Sequence, residues 1–299
     1  MKKISIIIPT YNRPQMLRRA LQSIQTNKKE NIEVVVCDDK SENDNNEQNK
    51  EIIDEFSQRA GIQIKYFENT RTKGVSGARN CAIEESVGEW LLFLDDDDAF
   101  ADNYIDKVLD YLTKHNEVDL FWSNVIISKK INSKEVRVKK YFTPKTKGEL
   151  YRDFISIGLG YGVVIKKKAI VECGVFDEKL RVAEDTDLFF KFIQSNKIIT
   201  NLPCFGVVLF EHDLEKLSKT YDYHARNHIF RTLFRRYFLS IKKIDLLYIS
   251  FSSWIVNVYK QSGMKKEALV FCFEFWIKKF YSLLVNKQFL FELKNLRWR

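Results

Sequence analysis

Residues 4–24, ISIIIPTYNRPQMLRRALQSI, decide the fold. Ile4 to Ile8 form a β-prone run without polar alternation, as expected of a strand covered on both faces. Asn12 stands where a helix N-cap belongs, and Pro14 falls in the first helical turn. Met16, Leu17, Ala20, Leu21 and Ile24 then recur at helical spacing. A buried strand feeding an amphipathic helix is the start of a crossover unit, and the pattern repeats. IEVVVCDD (32–39) reads as a second strand. A polar stretch leads into a helix carrying Ile52, Ile53, Phe56 and Ala60. IQIKYFE (62–68) reads as a third strand, VSGARNCAIEES (75–86) as a helix and EWLLFL (89–94) as a fourth strand. Phe100 to Leu112 reads as a further amphipathic helix. This alternation predicts an α/β chain with a mostly parallel, doubly wound sheet.

The middle of the chain is more mixed. VDLFWSNVIIS (118–128) and KEVRVKKYF (134–142) read as two strands with a turn at Asn132-Ser133, and GLGYGVVIKK (158–167) as a glycine-rich entry to a strand. A helix opens near Asp185, and FGVVLFEHD (205–213) reads as a late strand. After Lys219 the pattern becomes helical, with basic residues interleaved among aromatics over 224–239, 245–261 and 265–284.

Charge marks the same boundary. Residues 214–299 hold 17 Lys/Arg and 6 Asp/Glu, whereas residues 1–213 hold 32 and 34, so the whole positive excess lies in the C-terminal part. That part reads as a helical cap, as a pair of helices lying on an anionic membrane surface, or as both; nucleic-acid binding is not expected. Hydrophobic residues make up 45% of the 299 residues, ample for a packed core. The five cysteines (Cys37, Cys81, Cys173, Cys204, Cys272) are odd in number, widely spaced and without a Cys-x-x-Cys pair, which points to reduced thiols in a cytosolic protein. No signal-peptide core and no 18-residue uncharged apolar window is expected.

Ligands of doubly wound sheets bind at the carboxyl ends of the strands, and three strands here end in polar chemistry: Pro9-Thr10-Tyr11-Asn12, Asp38-Asp39 and Asp95-Asp96-Asp97-Asp98. A run of four carboxylates on a buried strand is either a solvated acidic turn or a site for a cation that relieves their mutual repulsion; a hard divalent ion with a diphosphate suits the second reading. Asp38-Asp39 is either an ordinary strand-ending turn or an acceptor of hydrogen bonds from a base or ribose. Thr72 to Asn80 opens a helix with Gly74 and Gly77 and carries Arg79, and helix N-termini attract anions, though alone this signal is weak. Asp185, after Glu184, either caps its helix or serves as a general base. His212 is either an ordinary polar group at a strand end or an additional metal ligand.

Taken together and in order, SIIIPTYNRP, VVVCDDKS, KGVSGARNCAI, WLLFLDDDD and CGVFDEKLRVAEDTDLFFK resemble glycosyltransferase family 2, inverting enzymes of the GT-A fold, over residues 4–190. The resemblance implies a GT-A catalytic domain over 1–215, with a nucleotide-binding half (1–100) and an acceptor-binding half (101–215), followed by the basic, aromatic-rich helical region 216–299. It implies that Pro9, Thr10, Tyr11, Asn12, Gly74 and Arg79 contact the nucleotide sugar, that Asp39 reads the base, usually uracil, and that Asp96 approaches the ribose. Asp95 and Asp97 form the D-x-D pair, with Asp97 the direct ligand of Mn²⁺ or Mg²⁺. Asp185 is the implied base, with Glu184 beside it. The implied reaction transfers a hexose or N-acetylhexosamine from a nucleotide sugar, UDP being the expected nucleotide, to a lipid-linked or polysaccharide acceptor at the cytosolic membrane face. Two residues depart from the pattern or go beyond it: Lys40 stands where glycine is usual, and Asp98 has no assigned role, a helix N-cap being the plain expectation. The rival class is a nucleotide-binding or assembly protein that keeps the fold without catalysis. A nucleotidyltransferase would need a glycine-rich basic loop after the first strand, which PTYNRP does not supply. A phosphatase would place D-x-D after the first strand rather than the fourth.

Overall fold

The computed structural model describes residues 3–128, 136–145, 147–154 and 157–211, with isolated positions 232, 233, 236, 237 and 270. In chain order the elements are β1 (Ile4–Thr10), α1 (Pro14–Gln22), β2 (Ile32–Asp38), α2 (Asn43–Ala60), β3 (Gln63–Glu68), α3 (Val75–Glu85), β4 (Trp90–Phe93), β5 (Ala99–Phe100), α4 (Tyr104–Lys114), β6 (Leu120–Ser128), β7 (Val136–Lys139), α5 (Lys147–Phe154), β8 (Val164–Lys166), α6 (Lys167–Cys173), α7 (Glu184–Gln194) and β9 (Ile199–Phe210). Two compact units are distinguished: residues 1–147 with 156–215, and residues 148–155 with 216–299. The expected C-terminal helices lie outside the described residues.

Within the first unit the strands join in the order β3-β2-β1-β4-β8-β6-β9-β5, with β7 beside β6. The first four pair in parallel, as the alternating pattern predicts: β1 lies between β2 and β4, and Ile6 sits opposite both Val34 and Leu92. Every residue of β1 and β2 is buried, which is why neither strand alternates in sequence. Beyond β4 the expectation of a mostly parallel sheet is corrected. β8 runs antiparallel to both β4 and β6, and β6 is parallel to β9, so this half is mixed. Three-residue β8 is too short to carry a directional signal in sequence.

The predicted helix over 100–112 begins later, at Tyr104, because Ala99 and Phe100 form β5 against β9. Leu17, Ala20 and Leu21 of α1, Ile52, Ile53 and Phe56 of α2, and Val108, Leu109 and Leu112 of α4 join one core with Ile6, Val34 and Leu92. The expected N-cap at Asn12 is also corrected. Arg13 occupies the cap position without a side-chain cap bond, while Asn12 takes a left-handed φ of 53°. Its carboxamide oxygen instead accepts from the Glu42 N–H at 2.8 Å. Lys40 adopts φ 66°, the left-handed region glycine favours, so the departure from glycine changes the residue and keeps the turn.

Candidate active site

The carboxyl ends of β1, β2 and β4 converge on the first turns of α3 and α7. Asp39 follows β2 and anchors the start of α3: both carboxylate oxygens accept from the Gly74 N–H, at 3.0 and 2.8 Å, and Oδ1 accepts from Asn69 Nδ2 at 2.7 Å. Asp38 is fully buried and holds the β2 turn instead. It accepts from the Ser41 N–H at 2.7 Å, the Tyr66 hydroxyl at 2.6 Å and Asn49 Nδ2 at 3.0 Å. Tyr11 is 41% exposed beside this turn, with the Lys73 ammonium 4.4 Å from its ring centroid. Pro9 remains within the buried strand.

Gly77 shows why α3 opens as it does. A Cβ there would overlap the Thr72 carbonyl oxygen, which is backbone and cannot step aside. Gly77→Ala should therefore lower stability by about 1–3 kcal/mol, the usual cost of overpacking, read as a lower urea midpoint at unchanged slope. A midpoint equal to wild type would refute the close approach.

The four aspartates divide. The Asp98 N–H donates to the Asp95 carbonyl at 3.1 Å, closing a tight turn. Asp96 turns to Thr10, whose hydroxyl donates at 2.8 Å, and to Arg13 at 3.4 Å. Burial pushes the Asp96 carboxyl up to about 7 against the opposing pull of Arg13. Asp95, Asp97 and Asp98 can each supply one carboxylate oxygen such that all lie within 4.8 Å of one another. Three hard oxygen donors so disposed fit Mg²⁺ or Mn²⁺. Asp98 is thus a member of the cluster and not a helix N-cap; its Oδ1 accepts from the Phe210 N–H at 3.2 Å. Arg13 also reaches Asp97 at 3.6 Å, and Arg19 donates to the Asp97 carbonyl while stacking on Phe210 at 4.3 Å.

Arg79, on α3, ties this turn to α7. Its guanidinium is buried, donating to Asp95 at 2.7 Å and to Glu184 at 2.9 Å. Burial opposes its charge, but Asp95 and Glu184 outweigh that and raise its pKa. Ala183, at φ 58°, is the N-cap of α7. Asp185 therefore lies within the first turn, which corrects its reading as the cap. Burial raises its pKa, opposed by the Thr186 N–H that donates to Oδ1 at 2.7 Å. Burial and the adjacent Asp185 raise Glu184 to about 7.

One side of the site was not singled out from sequence. The segment Gly158–Gly162 passes directly over the carboxylates. A Cβ on Gly158 would stand 3.2 Å from Asp185 Oδ2, and one on Gly160 would stand 3.1 Å from Asp98 Oδ2 and 3.4 Å from Asp95 Oδ2. The alternating glycines were the available signal, read only as a strand entry. Arg13 and Asp98 were likewise not assigned to the site. His212 lies outside the described residues.

The profile of the family described as Glycosyl transferase family 2 matches residues 5–174. The GalNAc(5)-diNAcBac-PP-undecaprenol beta-1,3-glucosyltransferase of Campylobacter jejuni is 30% identical over 200 residues, 62% of this chain and 58% of its own length. The chain thus spans less than two thirds of that relative. The UDP-Glc:alpha-D-GlcNAc-diphosphoundecaprenol beta-1,3-glucosyltransferase WfgD of Escherichia coli is 27% identical over 197 residues, 65% of this chain and 71% of its own length. Among solved structures, S. aureus TarS 1-349 in complex with UDP-GlcNAc superposes with a TM-score of 0.69 at 21% identity, covering 86% of this chain and 73% of that one, a likeness of fold. Since the family match takes in more than half of the sequence, the chain belongs to glycosyl transferase family 2.

Proposed function

We propose that the chain is an inverting glycosyltransferase that moves a hexose or N-acetylhexosamine from a UDP-sugar to a hydroxyl of a lipid-linked glycan. The observation that carries this reading is the meeting, at one sheet edge, of the Asp95/Asp97/Asp98 cluster with the buried Arg79 and the half-buried Glu184 and Asp185. The names of the C. jejuni and E. coli relatives, with their diphosphoundecaprenol-linked acceptors and UDP-Glc donor, support the substrate classes. A carboxylate of raised pKa that faces open space beside the acidic cluster favours catalysis over nucleotide binding alone.

In this reading Asp39, Tyr11 and the α3 turn at Gly74 line the nucleotide pocket, with Pro9, Thr10 and Asn12 shaping its floor, and Asp96 faces the ribose. Asp95, Asp97 and Asp98 would hold a divalent cation, which when bound offsets the charge of the donor diphosphate and of the departing nucleoside diphosphate. The Asp185 carboxylate accepts the proton of the acceptor hydroxyl as that oxygen attacks the anomeric carbon. Glycine at 158 and 160 leaves room for the acceptor against Asp185. Arg79 fixes Asp95 and Glu184 in place. Attack from the face opposite the diphosphate inverts the anomeric centre in one displacement, so no covalent nucleophile is required.

The same reading takes residues 1–215 as the catalytic domain and 216–299 as a basic helical region. No described helix is long and apolar enough to cross a membrane. A lipid-linked acceptor would be met at the periphery of the cytosolic face, with the basic region on the anionic surface.

The test is release of UDP from a panel of UDP-sugars. Turnover should appear with Mn²⁺ or Mg²⁺, vanish with EDTA and return on adding the ion. Asp98→Asn should raise the Mn²⁺ concentration for half-maximal rate by about tenfold or more, as ligand losses do. Full activity in EDTA, or an unchanged metal requirement in Asp98→Asn, would reject the cluster.

A further inference from the structure

Tyr161 closes the glycine-rich segment over the site. Its half-buried ring passes the same Gly158 position that Asp185 Oδ2 approaches: a Cβ there would meet that oxygen at 3.2 Å and the Tyr161 ring at 3.9 Å. Two residues of the β7 arm reach the same ring. Tyr141 meets it edge-on, with centroids 5.9 Å apart at 63°, and is itself packed on the buried Trp122 at 6.4 Å. Lys139 donates to the Tyr161 hydroxyl at 3.0 Å. Its ammonium lies 5.6 Å from the ring centroid, at the hydroxyl rim rather than over the face. Lys139 and Tyr141 are two apart on an extended segment and so share a face. The Tyr141 N–H donates to Asn124 Oδ1 at 2.8 Å, which pins the arm to β6.

These contacts have no use on the donor side as described. The aspartate cluster is there to meet the donor diphosphate, whereas Lys139 meets Tyr161, whose ring lines the Gly158 position beside Asp185 Oδ2. An exposed ammonium at the edge of a carboxylate-rich site, without a carboxylate partner among the described residues, suits a substrate that brings its own negative charge. An aromatic wall beside a general base suits a pyranose ring, whose apolar face packs on aromatic side chains.

We propose that Tyr161, Tyr141 and Lys139 form the acceptor subsite, and that it takes a glycosyl phosphate: a hexopyranose ring against Tyr161 with its phosphate at Lys139. The proposal rests on Asp185 facing the acceptor, as proposed above, and it adds which residues hold the acceptor's ring and its phosphate. Tyr161 holds the ring so that one hydroxyl reaches Asp185, and Lys139 sets which sugar of an anionic chain is presented.

The experiment measures binding of two probes, hexyl N-acetylglucosaminyl diphosphate and its neutral counterpart hexyl N-acetylglucosaminide, by calorimetry. The proteins are full-chain wild type, Tyr161→Phe, Tyr161→Ala and Lys139→Ala, each titrated with UDP as well. Tyr161→Ala should weaken both probes by about tenfold or more, while Tyr161→Phe stays within about threefold of wild type, since the ring carries the contact. Lys139→Ala should weaken the diphosphate probe about five- to tenfold and leave the neutral one unchanged, with the difference shrinking as salt rises. UDP affinity should be the same in all four. Wild-type affinity for the diphosphate probe in both Tyr161→Ala and Lys139→Ala, with UDP still bound, would overturn the subsite and spare the donor reading. Probe binding that depends on Tyr161 in a protein that does not bind UDP would uphold the subsite and reject the donor reading.

Discussion

Asp185→Asn should lower kcat for transfer by about 10²–10⁴-fold, the range for removal of a general base, and leave UDP affinity unchanged. The substitution keeps shape. The Asn oxygen can still accept from the Thr186 N–H that Oδ1 now takes at 2.7 Å. The amide nitrogen then replaces Oδ2, the atom facing the space that Gly158 leaves open, and its lone pair is delocalised into the carbonyl and cannot take a proton. The pH dependence follows from the raised pKa of Asp185, caused first by burial. A base must be ionised, so kcat/KM should fall as pH drops through the folded-state pKa, with its acid limb above the ordinary carboxylate range.

The stability effect has the opposite sign. A carboxyl whose pKa is raised by folding destabilises the fold when ionised. The penalty is absent below the unfolded pKa, grows between the two values and is full above the folded one. Asp185→Asn should therefore lose most activity yet melt higher than wild type at pH 8, with the gain fading as pH falls toward the ordinary carboxylate pKa, a trade of stability for function. Retention of more than a tenth of wild-type turnover would remove Asp185 as the base. A lower melting temperature at pH 8 would show that its ionised form is not the strained partner.

What the sequence conveyed about the site depended on how local each feature was. The order of strands and helices through β4 was legible because β1, β2 and β4 carry apolar runs and α1 and α2 apolar residues at helical spacing. The β8 pairing was not, since its direction is set by contacts distant in the chain. Asp95 and Asp97 stood out as a D-x-D pair, whereas Asp98 joins them only through the turn closed by its N–H on the Asp95 carbonyl. Linear spacing cannot show that a residue three along has folded back. Asn12 carried the composition of a cap, but the φ of 53° places its side chain on the following β2 turn instead. Arg13 and Tyr161 reach the site from a helix start and a loop whose own patterns are those of ordinary surface residues.

Arg79→Met should cost about 2–3 kcal/mol of stability, below the cost of breaking a wholly buried pair because Asp95 is 34% exposed and solvent screens it, and activity should fall with it. The guanidinium side chain is 5% exposed and serves two carboxylates that belong to different parts of the chain, Asp95 at 2.7 Å and Glu184 at 2.9 Å. Methionine fills much of the volume against Phe176, whose ring centroid lies 5.7 Å from the guanidinium carbon, so a cavity is not the main cost. The cost is electrostatic: Glu184, half-buried and next to Asp185, loses its counterion. Its pKa, already about 7 with Arg79 present, should rise further. The penalty should thus be largest at pH 8, where the group is forced to ionise, and shrink toward pH 5, where it is protonated in the fold. Adding Glu184→Gln to Arg79→Met should recover part of the loss at pH 8, with a coupling of about 0.5–3 kcal/mol in the double-mutant cycle, without restoring transfer, because Asp95 remains unanchored. Urea unfolding of the four proteins at both pH values measures every term. A loss below 1 kcal/mol at pH 8, or a loss independent of pH, would mean that the buried pairs with Arg79 do not hold β4 to α7.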